Sequence, residues 1–177
     1  MAFLSYNLIR EKRQSVHFSN ARVLAEAKAE TASGAVFLSH SSKDDEQVEG
    51  VVMFLRDFGV RVYTDDHDAR LPNPPSVETA KTLKGEIRDA SRFVVLVSPN
   101  SRSSRWIPWE LGLADGFKGI VPVALLPITQ NGDEESWARE EYFALYPRIF
   151  RSDNTWKVMD PRDQVPWLLQ NWLTKTL

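Results

Sequence analysis

Four short hydrophobic runs, each followed by a polar stretch, organise the centre of the sequence. They occupy residues 35–39, 60–64, 92–98 and 120–126. The first run shows no alternation of apolar and polar positions, which is typical of a parallel strand buried on both faces. The run at 92–98 is the clearest of the four and predicts the central, fully buried strand of a sheet.

Segments with helical features separate these runs. Apolar residues recur at helical spacing after the first run, and Gly59 ends that pattern. Asp44 or Ser42 is the predicted N-cap of this helix. Residues 77–90 and 104–116 predict two further helices.

The alternation of strands and helices predicts an α/β fold, a parallel sheet with helices on both faces. We expect the flavodoxin-like strand order 2-1-3-4-5. The fifth strand is predicted at residues 155–159, a helix at 134–145 and a closing helix at 163–173. Ligands bind such sheets beyond the carboxyl ends of the strands. The loops at that edge are predicted at residues 39–45, 65–76 and 98–104.

The first 33 residues differ from the rest of the chain. Residues 8–13 and 21–30 are rich in Ala, Glu, Lys and Arg, which form helices readily. We therefore predict a short helical N-terminal extension at residues 1–33 and one domain at 34–177. The extension is interpreted as helices packed on the domain, and an arm for assembly or partner binding is the alternative.

Glu110 is the residue most suggestive of chemistry. It is the only charge between Trp106 and Ala114, and a helix would stack it on the same face as Trp106, four residues earlier. A capping box would explain a glutamate at a helix start, but it requires Ser or Thr where Ile107 stands. A carboxylate surrounded by apolar side chains either pairs with another group or has a catalytic or binding role. A functional role competes with a solvated position or an interaction with the helix dipole.

Composition narrows the classes of function. The net charge of −2 offers no electrostatic attraction to nucleic acid or to an anionic membrane. The absence of cysteine excludes disulfides, thiolate catalysis and cysteine-based zinc sites. The three histidines lack ligand spacing, so no metal is predicted. With no apolar run of membrane-spanning length and no signal-peptide pattern, we expect a cytoplasmic protein.

Four motifs in order resemble those of the Toll/interleukin-1 receptor (TIR) domain. Residues 36–44 are similar to its first strand and loop, and residues 93–100 to its third-strand motif. Residues 66–76 stand where the family carries its BB loop. Residues 104–110 contain a W-x-x-x-E helix in the family's spacing. The resemblance covers about residues 35–175 and implies the TIR fold.

The W-x-x-x-E match implies the enzymatic branch of the family, which cleaves NAD⁺. NAD⁺ is then a substrate and no cofactor is expected. The resemblance puts Glu110 in the catalytic position and Trp106 close to the substrate, whereas Trp109 is predicted to lie in the core. His40 is a conceivable acid–base group, but the reaction does not require one. The further substrate-binding candidates are Ser39, His40, Ser41, Lys43 and Asp65.

The resemblance also implies partners. TIR enzymes commonly complete their site with a neighbour's BB loop, so Arg70 and Leu71 are candidates for contacts in a homo-oligomer. A TIR protein of this size is similar to the bacterial anti-phage TIR proteins of the Thoeris systems. That similarity implies a linear, cyclic or conjugated ADP-ribose product that activates a separate effector protein.

Three alternatives are distinguishable. The Trp106–Glu110 pair, which the resemblance assigns to the enzymatic branch, argues against a non-catalytic TIR adaptor. A nucleoside deoxyribosyltransferase-like enzyme would share the E-x-G-x-A pattern of residues 110–114. A response-regulator receiver is set aside because Ser98 stands where its phosphoacceptor aspartate would be.

Overall fold

The computed structural model describes residues 1–14, 31–65, 76–130, 144–163 and 165–175. The helices in these ranges are α1 (Tyr6–Gln14), α2 (Asp45–Arg56), α3 (Val77–Asp89), α4 (Trp106–Lys118) and α5 (Leu169–Thr174). The strands are β1 (Leu4–Ser5), β2 (Val36–Ser39), β3 (Val62–Tyr63), β4 (Arg92–Val97), β5 (Val123–Thr129), β6 (Arg148–Ser152), β7 (Thr155–Met159) and β8 (Trp167–Leu168). Single turns of 3₁₀ helix occur at Ser42–Asp44 and Ser101–Ser103.

One sheet carries the fold, in the order β3-β2-β4-β5-β6-β7-β8. The pairs from β3 to β6 are parallel, and β6–β7 and β7–β8 are antiparallel. The predicted α/β class is therefore confirmed, and so is the order of its first four strands.

The predicted position of the fifth strand in the sheet is wrong. The position next to β5 is taken by β6, and residues 155–159 form β7, which runs antiparallel to it. A hairpin joins the two strands through Asp153 and Asn154, whose φ angles are 52° and 58°. Asp and Asn tolerate this left-handed conformation better than other residues that carry a side chain, which suits a two-residue hairpin turn.

The closing helix is shorter than predicted. It spans Leu169–Thr174, and Trp167–Leu168 pairs with β7 as a strand instead. Pro166 explains why no helix runs through the residues before it, because proline disfavours helical backbone at the preceding residue. Pairing with β7 holds Trp167 and Leu168 as a strand. The helix predicted at 21–30, and most of the one predicted at 134–145, lie outside the described residues.

Helices cover both faces of the sheet. On one face, α3 and α4 pack Leu83, Ile107 and Leu111 against Phe37 and Phe93. On the other, side chains of α1, α2 and α5 meet the opposite faces of the same strands; these include Ile9, Val51, Leu55, Trp172, Leu38, Val94 and Leu96. In the part of the chain that the structure describes, no helix has the length and apolar character needed to cross a membrane.

The N-terminal residues pack into this architecture. Leu4 pairs in parallel with Ile128 of β5, and Ala2 exchanges backbone hydrogen bonds with Arg151 of β6. Helix α1 lies so close to α2 that a Cβ on Gly50 would stand 2.4 Å from the carbonyl oxygen of Ile9. Residues 1–14 therefore contribute to the core, while the division at residues 33 and 34 stays a prediction.

Candidate active site

The carboxyl ends of β2 and β4 face helix α4, and a buried hydrogen bond joins β2 to that helix. The hydroxyl of Ser39, the last residue of β2, donates to Oε2 of Glu110 at 2.6 Å. Ser39 is fully buried and Glu110 is 2% exposed. A charge-assisted bond of this length gives a desolvated carboxylate part of the compensation that its burial requires.

The apolar pattern of α4 explains why Glu110 turns inward. Ile107, Leu111 and Ala114 are buried, and they lie three residues before, one after and four after Glu110. Glu110 therefore belongs to the helix face that packs on the sheet. At the helix start the Ser104 hydroxyl accepts the N–H groups of Trp106 and Ile107, both at 3.3 Å. The alternative that Glu110 is a solvated residue on the helix flank is wrong.

A second buried network ties the first loop to the loop after β4. Oδ2 of Asp44 accepts the Ser98 hydroxyl at 2.6 Å, and its Oδ1 accepts the side-chain amide of Asn100 at 2.7 Å. Ser98 Oγ in turn accepts the backbone N–H of Asn100 at 3.0 Å. Asp44 is 1% exposed. The network fixes two of the three loops that border the candidate site.

The predicted capping role of the Asp44 side chain is wrong. Asp44 stands at the N-cap position of α2, but its side chain makes no capping hydrogen bond. Its carboxylate serves the neighbouring loop, because the carboxyl ends of β2 and β4 lie side by side. The sequence alone did not predict this contact between Asp44, Ser98 and Asn100. The available signal was that all three follow strands predicted to end at the same edge.

The remaining residues of the first loop range from buried to exposed. His40 is 7% exposed, and its Nδ1 lies 3.2 Å from the carbonyl oxygen of Leu38, so a proton on Nδ1 completes that hydrogen bond. Ser41 is also buried, and its hydroxyl accepts the N–H of Lys43 at 3.4 Å. Lys43 is exposed and its ammonium reaches Ser103 Oγ at 3.5 Å. The Lys43 charge thus stands between the first and third loops.

The two tryptophans of α4 differ in exposure. Trp106 is 37% exposed and meets Trp109 edge to face, with ring centroids 5.3 Å apart. Trp109 is partly buried and packs against the core formed with α3. Both rings line an apolar groove of about 440 Å³ together with Ala80 and Arg105. A role for Trp106 in substrate binding stays a prediction.

The other predicted residues lie partly outside the structure. Asp65 follows β3, which pairs with β2, so strand pairing puts it at the same edge of the sheet as Ser39. Arg70 and Leu71 lie outside the described residues. Within the described ranges, no group of three or more His, Asp or Glu side chains could hold a metal ion.

Comparison with known proteins agrees with this geometry. Residues 36–153 match the TIR domain family. The chain is 35% identical over 116 residues to a protein of Bacillus cereus (strain MSX-D12) named "Probable 3' cyclic ADP-D-ribose synthase ThsB'". That alignment covers 64% of this chain and 59% of the relative's length. The family match includes strands β2 and β4 and helix α4, which form the candidate site around Ser39 and Glu110. The chain belongs to the TIR domain family.

Proposed function

We propose that this protein cleaves the bond between nicotinamide and ribose in NAD⁺, with Glu110 as the catalytic carboxylate. The observation that carries the proposal is the buried hydrogen bond from Ser39 to Glu110 at the carboxyl edge of the sheet. A glutamate that faces water would need no such arrangement. The B. cereus relative, which is named a probable 3' cyclic ADP-D-ribose synthase, supports the same chemistry.

One carboxylate suits this reaction. The bond from C1′ of the ribose to the nicotinamide nitrogen breaks, and its electron pair leaves with nicotinamide. Because the pyridinium becomes a neutral molecule, no general acid has to protonate the leaving group. Positive charge develops on the ribose, and the anionic Glu110 stabilises that oxocarbenium-like transition state more than the ground state.

Burial of Glu110 restricts how the carboxylate can meet the ribose. The carboxylate is 2% exposed and one of its oxygens is held by Ser39. In our proposal a ribose hydroxyl donates to Glu110 while Ser39 keeps its own hydrogen bond, so the carboxylate is held in one orientation during the reaction. The site excludes water, and there the charge of the carboxylate acts most strongly.

The acceptor of the ribosyl group decides the product. Attack of water on C1′ gives linear ADP-ribose, and attack of a hydroxyl within the same molecule gives a cyclic isomer; either nucleophile loses one proton. We favour a cyclic product because the B. cereus relative is named as a cyclic ADP-ribose synthase. Such a product would act as a signal in bacterial anti-phage defence and activate a separate effector protein.

Exchange of Glu110 for glutamine tests the catalytic assignment. Glu110→Gln keeps the shape and an acceptor for Ser39 but removes the charge, so NAD⁺ turnover should fall at least about a thousandfold. Mass spectrometry of the products formed from NAD⁺ measures the loss and identifies the product. Because the variant also removes a desolvated charge, we expect its free energy of unfolding to be equal or higher.

Glu11→Gln, a change of an exposed glutamate on α1, is the matched control and should leave turnover unchanged. Normal turnover by a folded Glu110→Gln protein would end the proposal. Cleavage of deoxynucleosides in place of NAD⁺ would favour the deoxyribosyltransferase alternative. Absence of turnover in the unmodified protein with every substrate would favour the adaptor.

We further propose that the active enzyme is a homo-oligomer with TIR–TIR contacts through the BB loop, including Arg70 and Leu71. Specific activity should then rise with protein concentration, and Leu71→Asp should lower it. A dilution series with NAD⁺ measures both effects. Specific activity that stays constant on dilution, together with a silent Leu71→Asp variant, would rule the shared site out.

A further inference from the structure

A basic cleft opens at the edge of the sheet opposite the candidate active site. It has a volume of about 660 Å³ and is bordered by the segments that lead into β2, β3, β4 and β5. Four cationic residues line it, and none of its described lining residues is acidic; the four are Arg61, Arg92, Lys118 and Lys175. The cleft therefore concentrates positive charge in a concave space.

Backbone carbonyl groups, rather than carboxylates, hold the inner pair of these cations. Arg92 is 5% exposed, and its guanidinium donates to the carbonyls of Trp172 at 2.6 Å, Ser91 at 2.7 Å, and Lys175. The guanidinium carbon also lies 5.4 Å from the centre of the Trp172 ring. These contacts fix the direction of the group and leave its full positive charge in place.

Lys118 is held in a similar way at the end of α4. Its ammonium donates to the carbonyl oxygens of Arg88 at 2.8 Å and Ala90 at 2.5 Å. Two of its three N–H donors are used by these bonds. The carboxylate of Asp89 also acts on Lys118 through its charge, and Asp89 forms an ion pair with Arg88 at 2.8 Å.

The surroundings of Arg92 and Lys118 disfavour the charged form of both side chains. Burial lowers the pKa of Arg92. Burial is also the largest influence on Lys118 and lowers its pKa; Asp89 raises that pKa, and the like charge of Arg92 lowers it further. An anion in the cleft would offset the desolvation and the mutual repulsion of these groups.

We propose that this cleft binds a phosphorylated small molecule of nucleotide size through its phosphate groups. The volume falls in the range typical of small-molecule sites, about 300–1,000 Å³. A multiply charged anion matches several converging cations better than a single carboxylate does, and guanidinium groups match phosphate oxygens in geometry. The site is distinct from the one at Glu110, because it lies at the amino ends of the same strands.

Calorimetric titration with pyrophosphate tests the proposal without reference to catalysis. Arg61→Gln and Lys175→Gln remove charge from exposed positions on the rim. Because the Arg61 guanidinium also donates to the carbonyl of Ser33 at 2.5 Å, the free energy of unfolding of both variants is measured beside binding. Each should weaken pyrophosphate binding at least about fivefold, because each removes a charge-assisted contact. Raising the salt concentration should weaken binding by the unmodified protein.

Two control variants locate the bound anion. Lys81→Gln removes an exposed charge on α3, and Lys43→Gln removes one beside the candidate active site. Lys81→Gln should leave pyrophosphate binding unchanged, and Lys43→Gln should leave unchanged the binding that Arg61→Gln and Lys175→Gln weaken. No saturable heat at millimolar pyrophosphate would overturn the proposal, and so would binding that only Lys43→Gln weakens.

Comparison of ADP with adenosine tests the size and class of the ligand. ADP should bind more tightly than pyrophosphate, and its affinity should fall in Arg61→Gln and Lys175→Gln, whereas adenosine should not bind. ADP binding that is weaker than pyrophosphate binding would refute a nucleotide-sized ligand. These outcomes do not depend on whether the protein cleaves NAD⁺.

Discussion

The hydroxyl of Ser39 has two possible tasks at the scale of single residues: contact with the substrate and orientation of Glu110. The 2.6 Å bond to Oε2 assigns it the second task before substrate binds. Ser39→Ala should therefore lower kcat for NAD⁺ about tenfold or more, since a hydrogen bond to a charged group is lost. The change in KM should be smaller, and steady-state kinetics separates the two parameters.

Two further variants show whether orientation is the cause. Ser39→Thr retains the hydroxyl and should recover part of kcat, unless its extra methyl group cannot be packed. Ser91→Ala removes a serine hydroxyl that donates to the carbonyl of Ala35, away from the site, and should leave kcat unchanged. A Ser39→Ala variant that raises KM alone would assign Ser39 to substrate binding only.

The sequence indicates the position of Glu110 but not its partner. The apolar residues around it predict a helix face, and strand–helix alternation predicts the edge at which that helix starts. The contact with Ser39 joins residues 71 apart in the chain. It depends on the angle at which α4 crosses the sheet, and no local pattern encodes that angle. For the same reason, the sequence did not predict the hydrogen bonds from Ser98 and Asn100 to Asp44.

At the scale of elements, a tyrosine links helix α4 to the segment before β6. The hydroxyl of Tyr146 donates to Oδ2 of Asp115 at 3.2 Å. Burial, then the charge of Asp115 and this hydrogen bond, raise the pKa of Tyr146 from 10.0 to about 12. The folded state thus favours the neutral phenol.

This pKa predicts a loss of stability in alkaline solution. Below pH 10 the phenol is neutral in both the folded and the unfolded chain, so its contribution is fully present. As the pH rises from about 10 to about 12, the unfolded chain ionises first and the contribution is lost. Urea unfolding should show a decline that is smaller in Tyr146→Phe. An equal decline in both proteins would contradict the assignment.

The elements that could be predicted are those with strong local patterns. Strands β2, β4 and β5 are continuous apolar runs, and helices α2 to α4 show helical periodicity or cap signals. Strand β6 was missed because two arginines interrupt its apolar residues, at positions 148 and 151. Its place in the sheet rests on pairing with β5 and on the hairpin to β7, which are tertiary contacts.

At the scale of the whole molecule, the first residues should contribute strongly to stability. Leu4 is fully buried, and β1 pairs with the end of β5. Leu4→Ala should lower the free energy of unfolding by about 2–5 kcal/mol, as for other buried leucines. Chemical denaturation measures the loss, and Asn7→Ala, at an exposed position on α1, should be nearly neutral. Equal stability of the two variants would show that β1 is dispensable.

The pairing of β1 with β5 also has a consequence for biosynthesis. Leu4 lies opposite Ile128, so the ribosome makes one partner well before the other. At about 5–20 residues per second, the delay is on the order of ten seconds. During that time Leu4, the apolar residue of β1, has no strand to pair with. Leu4 therefore gains its pairing partner only after the carboxyl end of β5 has left the ribosome.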